Sequence, residues 1–240
     1  MKILSKKHSL IASLLLSFAL LSGCATIEGE ADPDDPLESF NRSMYSFNDA
    51  LDRAILKPVA QGYNAVLPSP VNKGVSNFFS NLEDIVVVFN DLLQLKIDQA
   101  LSDTARVFFN STLGIFGLLD VASGMDMPKH DEDFGQTLGY WGVDTGAYIV
   151  WPFFGPSNVR DTFGSISDAY VNPLYDITPR DTQTGLVVLN VVDTRAGLLS
   201  ASKILEEAAL DPYLFVRDAY LQKRQNLVYD GNPPKQKFDD

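Results

Sequence analysis

Apolar residues recur at helical spacing along most of this chain, and polar residues keep to rows of their own beside them. The first run, Leu37, Phe40, Met44, Phe47, Leu51, Ala54 and Ile55, falls on one stripe of a helix. Asn41, Tyr45, Asn48 and Asp52 form a parallel row at the same spacing, which suits either a solvated face or the lining of a wet cavity. Asp35-Pro36 opens this helix as cap and first-turn proline, with Glu38 three residues after the cap, and Lys57-Pro58 ends it. Ser69-Pro70 marks the next start. The run Ile85 to Phe89, flanked by Leu92, Leu93 and Leu95, reads as a buried helix rather than a strand. From Ile97 to Asp120 the pattern continues through Ala100, Leu101, Ala105, Phe108, Phe109, Leu113, Phe116 and Leu119. Its uncharged part, Val107 to Leu119, is 13 residues long, too short to span a bilayer and suited to a buried, re-entrant or interfacial segment.

Residues 123–133 read as an exposed loop, and its His130-Asp131-Glu132-Asp133 cluster as a solvated acidic stretch rather than a cation site. Gly139, Gly142 and Gly146 then punctuate an aromatic segment, as hinges or as points of close approach. The uncharged window Thr145 to Val159 is 15 residues long and carries Tyr148 and Trp151, residue types that favour membrane interfaces; its two prolines and two glycines forbid a straight helix. A short helix from Asn158 to Tyr170, a longer one from Asp181 to about Glu207 and a last one from Asp211-Pro212 to about Tyr229 complete the pattern. No internal repeat is visible. The chain is expected to be mainly α, with few or no strands.

The N-terminus changes the picture. Lys2, Lys6 and Lys7 precede an apolar run from Leu10 to Leu20, and the run ends in Leu21-Ser22-Gly23-Cys24 with the chain's single cysteine. This is the layout of a signal peptide with a lipoprotein processing site, residues 1–23 being removed and Cys24 acylated. Three acyl chains hold a protein firmly where one holds it marginally. Ala25 stands where Asp would signal retention in the inner membrane, so the outer membrane is the expected destination. Residues 24–34 form a tether, 35–230 a single domain, and 231–240 a polar tail.

Removing the leader leaves 217 residues and, because it carries three lysines and no acid, takes the formal charge from −12 to −15. Such a balance repels nucleic acid. The lipidated cysteine is unavailable for a disulfide, and only His130 remains among mature histidines. Nothing in the sequence supplies a nucleophile with its base, a phosphate-binding loop or a metal-ligand pair, so no catalytic residue, cofactor or metal is assigned. Aromatic surface, in contrast, is plentiful: 15 Phe, 9 Tyr and 2 Trp.

The stretches DPLESFNRSMYSFN (35–48), FFNSTLGIFGLLDVA (108–122), FGQTLGYWGV (134–143), PFFGPSNVRD (152–161) and DPYLFVRDAYLQ (211–222), in this order after a lipoprotein site, resemble the VacJ/MlaA outer-membrane lipoproteins of Gram-negative bacteria. The resemblance implies a single helical, ring-like domain partly embedded in the periplasm-facing leaflet, with an amphipathic channel. It implies removal of mislocalised phospholipid from the outer leaflet, delivery to a periplasmic lipid-carrier protein, and association with a trimeric porin. A scaffolding lipoprotein that moves no lipid is the alternative. On the conduit reading Phe40, Asn41, Tyr45, Asn48 and Asp52 line the channel, Arg160 and Asp161 form a charged pair near it, and Gly139, Gly142 and Gly146 are hinges.

Replacing Cys24 with Ala should leave the precursor full-length and free of lipid. Gel mobility together with incorporation of labelled palmitate checks this; normal cleavage and labelling would refute the processing site.

Overall fold

The computed structural model describes residues 35–234, so Cys24 and its leader lie outside the described residues. Nine helices and one hairpin follow in order among them: α1 (Glu38–Leu51), α2 (Lys57–Val66), α3 (Ser69–Leu93), α4 (Ile97–Thr112), α5 (Phe134–Tyr140), β1 (Tyr148–Trp151), β2 (Gly155–Asn158), α6 (Val159–Val171), α7 (Arg180–Gly197), α8 (Leu199–Ala208) and α9 (Pro212–Val228). The hairpin is antiparallel and pairs Tyr148 with Asn158 and Trp151 with Gly155. Among the described residues no helix is long and apolar enough to cross a membrane.

Several starts lie where the cap chemistry puts them. Asn158 accepts from the Asp161 N–H to cap α6, and Asp133 accepts from the Gln136 N–H to cap α5. Asp211 accepts from the N–H groups of Tyr213 and Leu214, with Pro212 in the first turn of α9.

Four expectations are corrected. Asp35 does not cap α1 with its side chain: the helix begins at Glu38 with Leu37 at the cap position, and the buried Asp35 carboxylate accepts from the Asn41 amide and the Tyr213 hydroxyl. Lys57-Pro58 does not stop the first helix. A π turn over Asp52–Leu56 joins α1 to α2, the Lys57 N–H reaching back to the Asp52 carbonyl, so that Pro58 falls in the first turn of a new register where its missing donor costs little. The stretch after Thr112 is not helical. The chain turns back through left-handed Ile115, Phe116 and Gly117, and the Gly117 N–H bonds to the Asn110 carbonyl at 2.8 Å. Finally, the 130–133 cluster is no solvated acidic loop: His130 Nδ1 lies 2.6 Å from Asp103, Glu132 is buried against Gln94 and Lys96, and Asp133 pairs with Arg224.

The interior is unusual in its polarity. A small apolar cluster of Tyr148, Val150 and Tyr213 holds the hairpin against α9, with Met44 and Tyr45 of α1 packed on it. The long α3–α4 seam, in contrast, buries Asn81, Asp84, Asn90 and Asp91 opposite Asp103, Arg106 and Asn110. Arg106 donates to the Met127 carbonyl at 2.7 Å, and Asn110 donates to Asp120 while accepting from the Ala122 N–H, so the loop after α4 is tied to the seam by its polar groups. On the outside sit large apolar side chains, among them Phe154 at 88% exposure, Tyr170 at 85% and Phe116 at 78%.

Asp91 is fully buried and neither of its oxygens meets a donor. Burial first, then the facing Asp103 and Glu132 carboxylates, push it up to about 7 from an ordinary 3.8, with Lys96 opposing. A raised carboxylate means that the folded state holds more protons than the unfolded one between those two values, so this group's contribution to stability falls as pH rises through that window. Asp91→Asn should therefore flatten the pH dependence of Tm between about pH 4 and pH 7 and raise Tm at pH 8, by on the order of 5 °C. Thermal melts across pH check this; an unchanged slope would place the ionisation elsewhere.

Candidate functional site: a cavity of mixed polarity beside the first helix

Two asparagines seven residues apart on α1 act as a backbone edge for the hairpin. Asn41 Nδ2 donates to Asp35 at 2.8 Å and to the Tyr148 carbonyl at 3.0 Å, and its Oδ1 accepts from the Val150 N–H at 2.8 Å. Two helical turns on, Asn48 Nδ2 donates to the Trp151 carbonyl at 2.9 Å and its Oδ1 accepts from the Phe153 N–H at 2.8 Å. The hairpin therefore stands off α1 at a fixed distance. Between them, and closed by the C-terminal end of α7, by α8 and by the start of α9, lies a cavity of about 650 Å³.

Its walls differ. Tyr148, Val150 and Pro156 from the hairpin, Leu198, Leu205 and Val216 make an apolar side. The α1–π–α2 rod makes the polar side, because the wider π turn presents Asp52 and Arg53 together with Asn48, Asp49 and Lys57. Arg195 grips Asp52 in a fork, Nε to Oδ1 at 2.7 Å and Nη2 to Oδ2 at 2.8 Å, and steadies Ser202 through Nη1 at 2.9 Å. Lys57 meets Glu206 of α8 at 2.7 Å, and Arg53 meets Asp49 at 3.0 Å. The bond from Asp52 holds Arg195 more firmly protonated than a free guanidinium, and the Lys57 bond holds Glu206 below the usual carboxylate range.

Of the predicted row, Tyr45, Asn48 and Asp52 line this cavity, and Asn41 and Phe40 do not. Asn41 is fully buried with its amide satisfied; Phe40 is 42% exposed on the outer, apolar face of α1. These two are corrected for one reason. The strand edge needs a donor and an acceptor where Asn41 stands, and the stripe next to it faces away.

Arg160 and Asp161 do pair, Nε to Oδ1 at 3.0 Å, but their partners lie elsewhere. Asp161 also accepts from the Tyr220 hydroxyl at 2.8 Å and from Arg224 Nη2 at 3.1 Å, while Arg224 grips Asp133 at 2.8 Å. Burial opposes the charges of Arg224 and Asp133, and their pairing outweighs it, raising the first and lowering the second. This network locks the N-termini of α5 and α6 to α9. A second cavity of about 610 Å³ opens beside Arg160 and is also lined by Gly139, Gly142 and Gly146.

The three glycines have different causes. Gly142 (φ +86°) and Gly146 (φ +68°) take left-handed backbone, whereas Gly139 is helical and a Cβ there would meet Arg160 Nη1 at 2.8 Å and Val228 at 2.9 Å. The tighter approach was missed: a Cβ on Gly164 would lie 2.4 Å from the Gly135 backbone nitrogen, where α5 and α6 cross. Also missed were Arg195, Lys57 and Glu206. Arg195 follows Asp193 near the end of an otherwise uncharged stretch after Asp181, and an isolated cation in such a run is a signal that a carboxylate elsewhere needs it.

The family model described as MlaA lipoprotein matches residues 33–227. The chain is similar to the "Intermembrane phospholipid transport system lipoprotein MlaA" of Shigella flexneri, 38% identical over 227 residues that cover 92% of this chain and 89% of that one. It is similar to the protein of the same description from Haemophilus influenzae, 34% identical with 94% of this chain and 92% of that one covered. A solved structure described under "Structural basis for maintenance of bacterial outer membrane lipid asymmetry" matches with a TM-score of 0.72 and 36% identity, covering 82% of this chain and 99% of that one.

Gly164→Ala should cost about 3 kcal/mol or more, because backbone cannot move aside for the new methyl, and Gly142→Ala about 1 kcal/mol for left-handed backbone in open space. Urea unfolding of both variants checks the order; equal losses would mean that the α5–α6 crossing gives way.

Proposed function

The chain belongs to the MlaA lipoprotein family, and from that premise we propose that it is a passive conduit that takes phospholipid out of the outer leaflet of the outer membrane and hands it to a periplasmic carrier. The observation that carries this reading is the inverted polarity of the fold. Phe116, Phe154 and Tyr170 stand out from the surface, while Asp91, Asp103 and Arg106 lie inside at 1% exposure or less. Large exposed apolar side chains of this kind suit contact with lipid or with another apolar surface, and the absence, among the described residues, of a helix long and apolar enough to cross a membrane suits immersion in one leaflet. Acylated Cys24 adds the anchor. A trimeric porin in the same bilayer offers the apolar outer wall against which part of this surface can rest.

The conduit works by separating two costs. A head group carries charge that hydrocarbon will not take without a partner, and acyl chains lose about 0.8 kcal/mol for each methylene brought into water. A cavity with ion pairs and amides on one side and Val150, Leu198 and Leu205 on the other accepts the head without stripping it of partners and leaves the chains against apolar wall. Tyr45, Asn48 and Asp52 then touch the passing head, and the left-handed Gly142 and Gly146 let the segment before the hairpin flex. No bond is made or broken, so no catalytic group is required.

A strain lacking the gene should accumulate phospholipid on its surface, and the native gene should reverse this. Leu205→Trp, which fills the cavity from its apolar side, should be made at normal level and fail to reverse it. Labelling of surface-exposed phospholipid measures the outcome; full reversal by the filled variant would remove this cavity from the path.

A further inference from the structure

The cavity beside the π turn holds three cations and three carboxylates, and each cation has its own carboxylate: Arg195 with Asp52, Lys57 with Glu206, Arg53 with Asp49. The wall is neutral although the chain carries a formal charge of −12. We propose that these three pairs select the head group, so that the cavity takes phospholipids whose head carries both a phosphate and an amine in preference to heads that carry a net negative charge. The proposal rests on the conduit reading of the cavity and goes beyond it by naming the substrate class.

The argument is one of exchange. A phosphodiester entering the cavity needs a cation, and every cation on the wall is already held. Arg195 is held hardest, by two bonds to a carboxylate that is itself largely sheltered. Drawing a cation toward the phosphate strands its carboxylate, which costs most at the sheltered Asp52 and less at the more open Asp49 and Glu206. An ammonium on the same head removes that cost, because it takes the abandoned carboxylate while the phosphate takes the cation. One pair on the wall then becomes two, and no charge on the wall or on the head is left without a partner. A head with phosphate and hydroxyls alone leaves one carboxylate unpaired at each step, and the acidic protein repels it on approach.

The pairs are graded in shelter. Arg53 and Asp49 are open to solvent, Lys57 and Glu206 less so, and Arg195 and Asp52 least. Exchange therefore begins at the cheap pair and ends at the tight one. Asp52 and Arg53 follow Asn48 and Asp49 at helical spacing, and the π turn brings Lys57, one residue beyond it, onto the same wall.

The test uses the purified full-length lipoprotein and vesicles of equal parts phosphatidylethanolamine and phosphatidylglycerol, with bound lipid counted by mass spectrometry. The native chain should enrich the ethanolamine lipid about fivefold or more, the ratio that one lost partial charge pair gives. Asp52→Asn combined with Glu206→Gln frees Arg195 and Lys57 and should move the ratio toward the glycerol lipid by a similar factor. Exchanging the partners, Asp52→Arg with Arg195→Asp, restores neutrality and should restore the preference. Should the double neutral variant fail to fold, Glu206→Gln alone, at the exposed end of α8, carries the same test with a smaller shift. Equal uptake of both lipids by the native chain, or a ratio indifferent to these changes, overturns the selection. Leu205→Trp distinguishes this from failure of the conduit reading: total bound lipid that does not fall in that variant means that lipid does not use the cavity at all.

Discussion

The side-chain amide of Asn41 holds two parts of the fold that no apolar contact would hold in register. It offers a donor and an acceptor to the hairpin where a neighbouring strand would, at Tyr148 and Val150, and it spends its second donor on Asp35. Asp35 in turn accepts from the Tyr213 hydroxyl, so the segment just before α1, the hairpin and α9 meet at one amide. A Leu of similar size would fill the space, leave the Val150 N–H and the Tyr148 carbonyl without this partner at about 1–3 kcal/mol each, and take one of the Asp35 carboxylate's bonds while Tyr213 and Arg217 remain. The cavity exists because this bridge, repeated by Asn48 two turns later, keeps the hairpin beside α1 rather than collapsed onto it.

The same logic runs through the whole molecule. In a water-soluble domain the helices would turn Phe108, Phe116 and Leu119 inward and leave Asp84, Asp103 and Arg106 outside. Along α3, α4 and the turn after them the reverse holds for these residues, and the seam combines directional bonds at Arg106 and Asn110 with buried Phe79, Val86, Val87 and Ala100. Directional bonds fix position more sharply than apolar contact does. They also leave the seam sensitive to protonation, because Asp91 and Asp103 face one another without enough donors for two charges. On the proposed immersion in one leaflet, burying leucine would gain such a fold little, since hydrocarbon is as apolar as any core, and polar pairing would carry more of its stability.

This inversion also sets how much could be read from the sequence. Helix starts were legible at Asn158, Ser69-Pro70 and Asp211-Pro212, where a cap or an early proline marks them locally, and not at α5, whose cap Asp133 sits inside an acidic run. The polar row on α1 was legible as a row, since periodicity needs only the neighbouring turns. What each member faces was not: Asn41 is occupied by backbone 107 residues away and Asp52 by a guanidinium 143 residues away. The proline at 58 misled for a related reason. A π turn is invisible to a 3.6-residue pattern, so the missing donor seemed to end a helix that in fact changes register and goes on. Gly164 was overlooked because close approach of two backbones leaves no mark in the composition of either segment.

The π turn links the local irregularity to the chemistry of the site. An α-helical register through Asp52–Leu56 would advance each later residue by about 100° and carry Lys57 round the rod relative to Asn48 and Asp49. One wider turn delays that rotation, and Asp49, Asp52, Arg53 and Lys57 all reach the same cavity. The opposite members come from elements that have no other reason to meet there: Arg195 from the end of α7, Glu206 from α8. Helical spacing alone sets Asp49, Asp52 and Arg53 on one face, at i, i+3 and i+4, and the π turn brings Lys57 round to join them. Bringing two carboxylates and two cations onto one short wall, and matching Asp52 and Lys57 from two other helices, produces a surface that is strongly polar in detail and neutral in sum. On the proposed conduit reading, that combination would let a charged group meet a partner of opposite sign at each position along the wall.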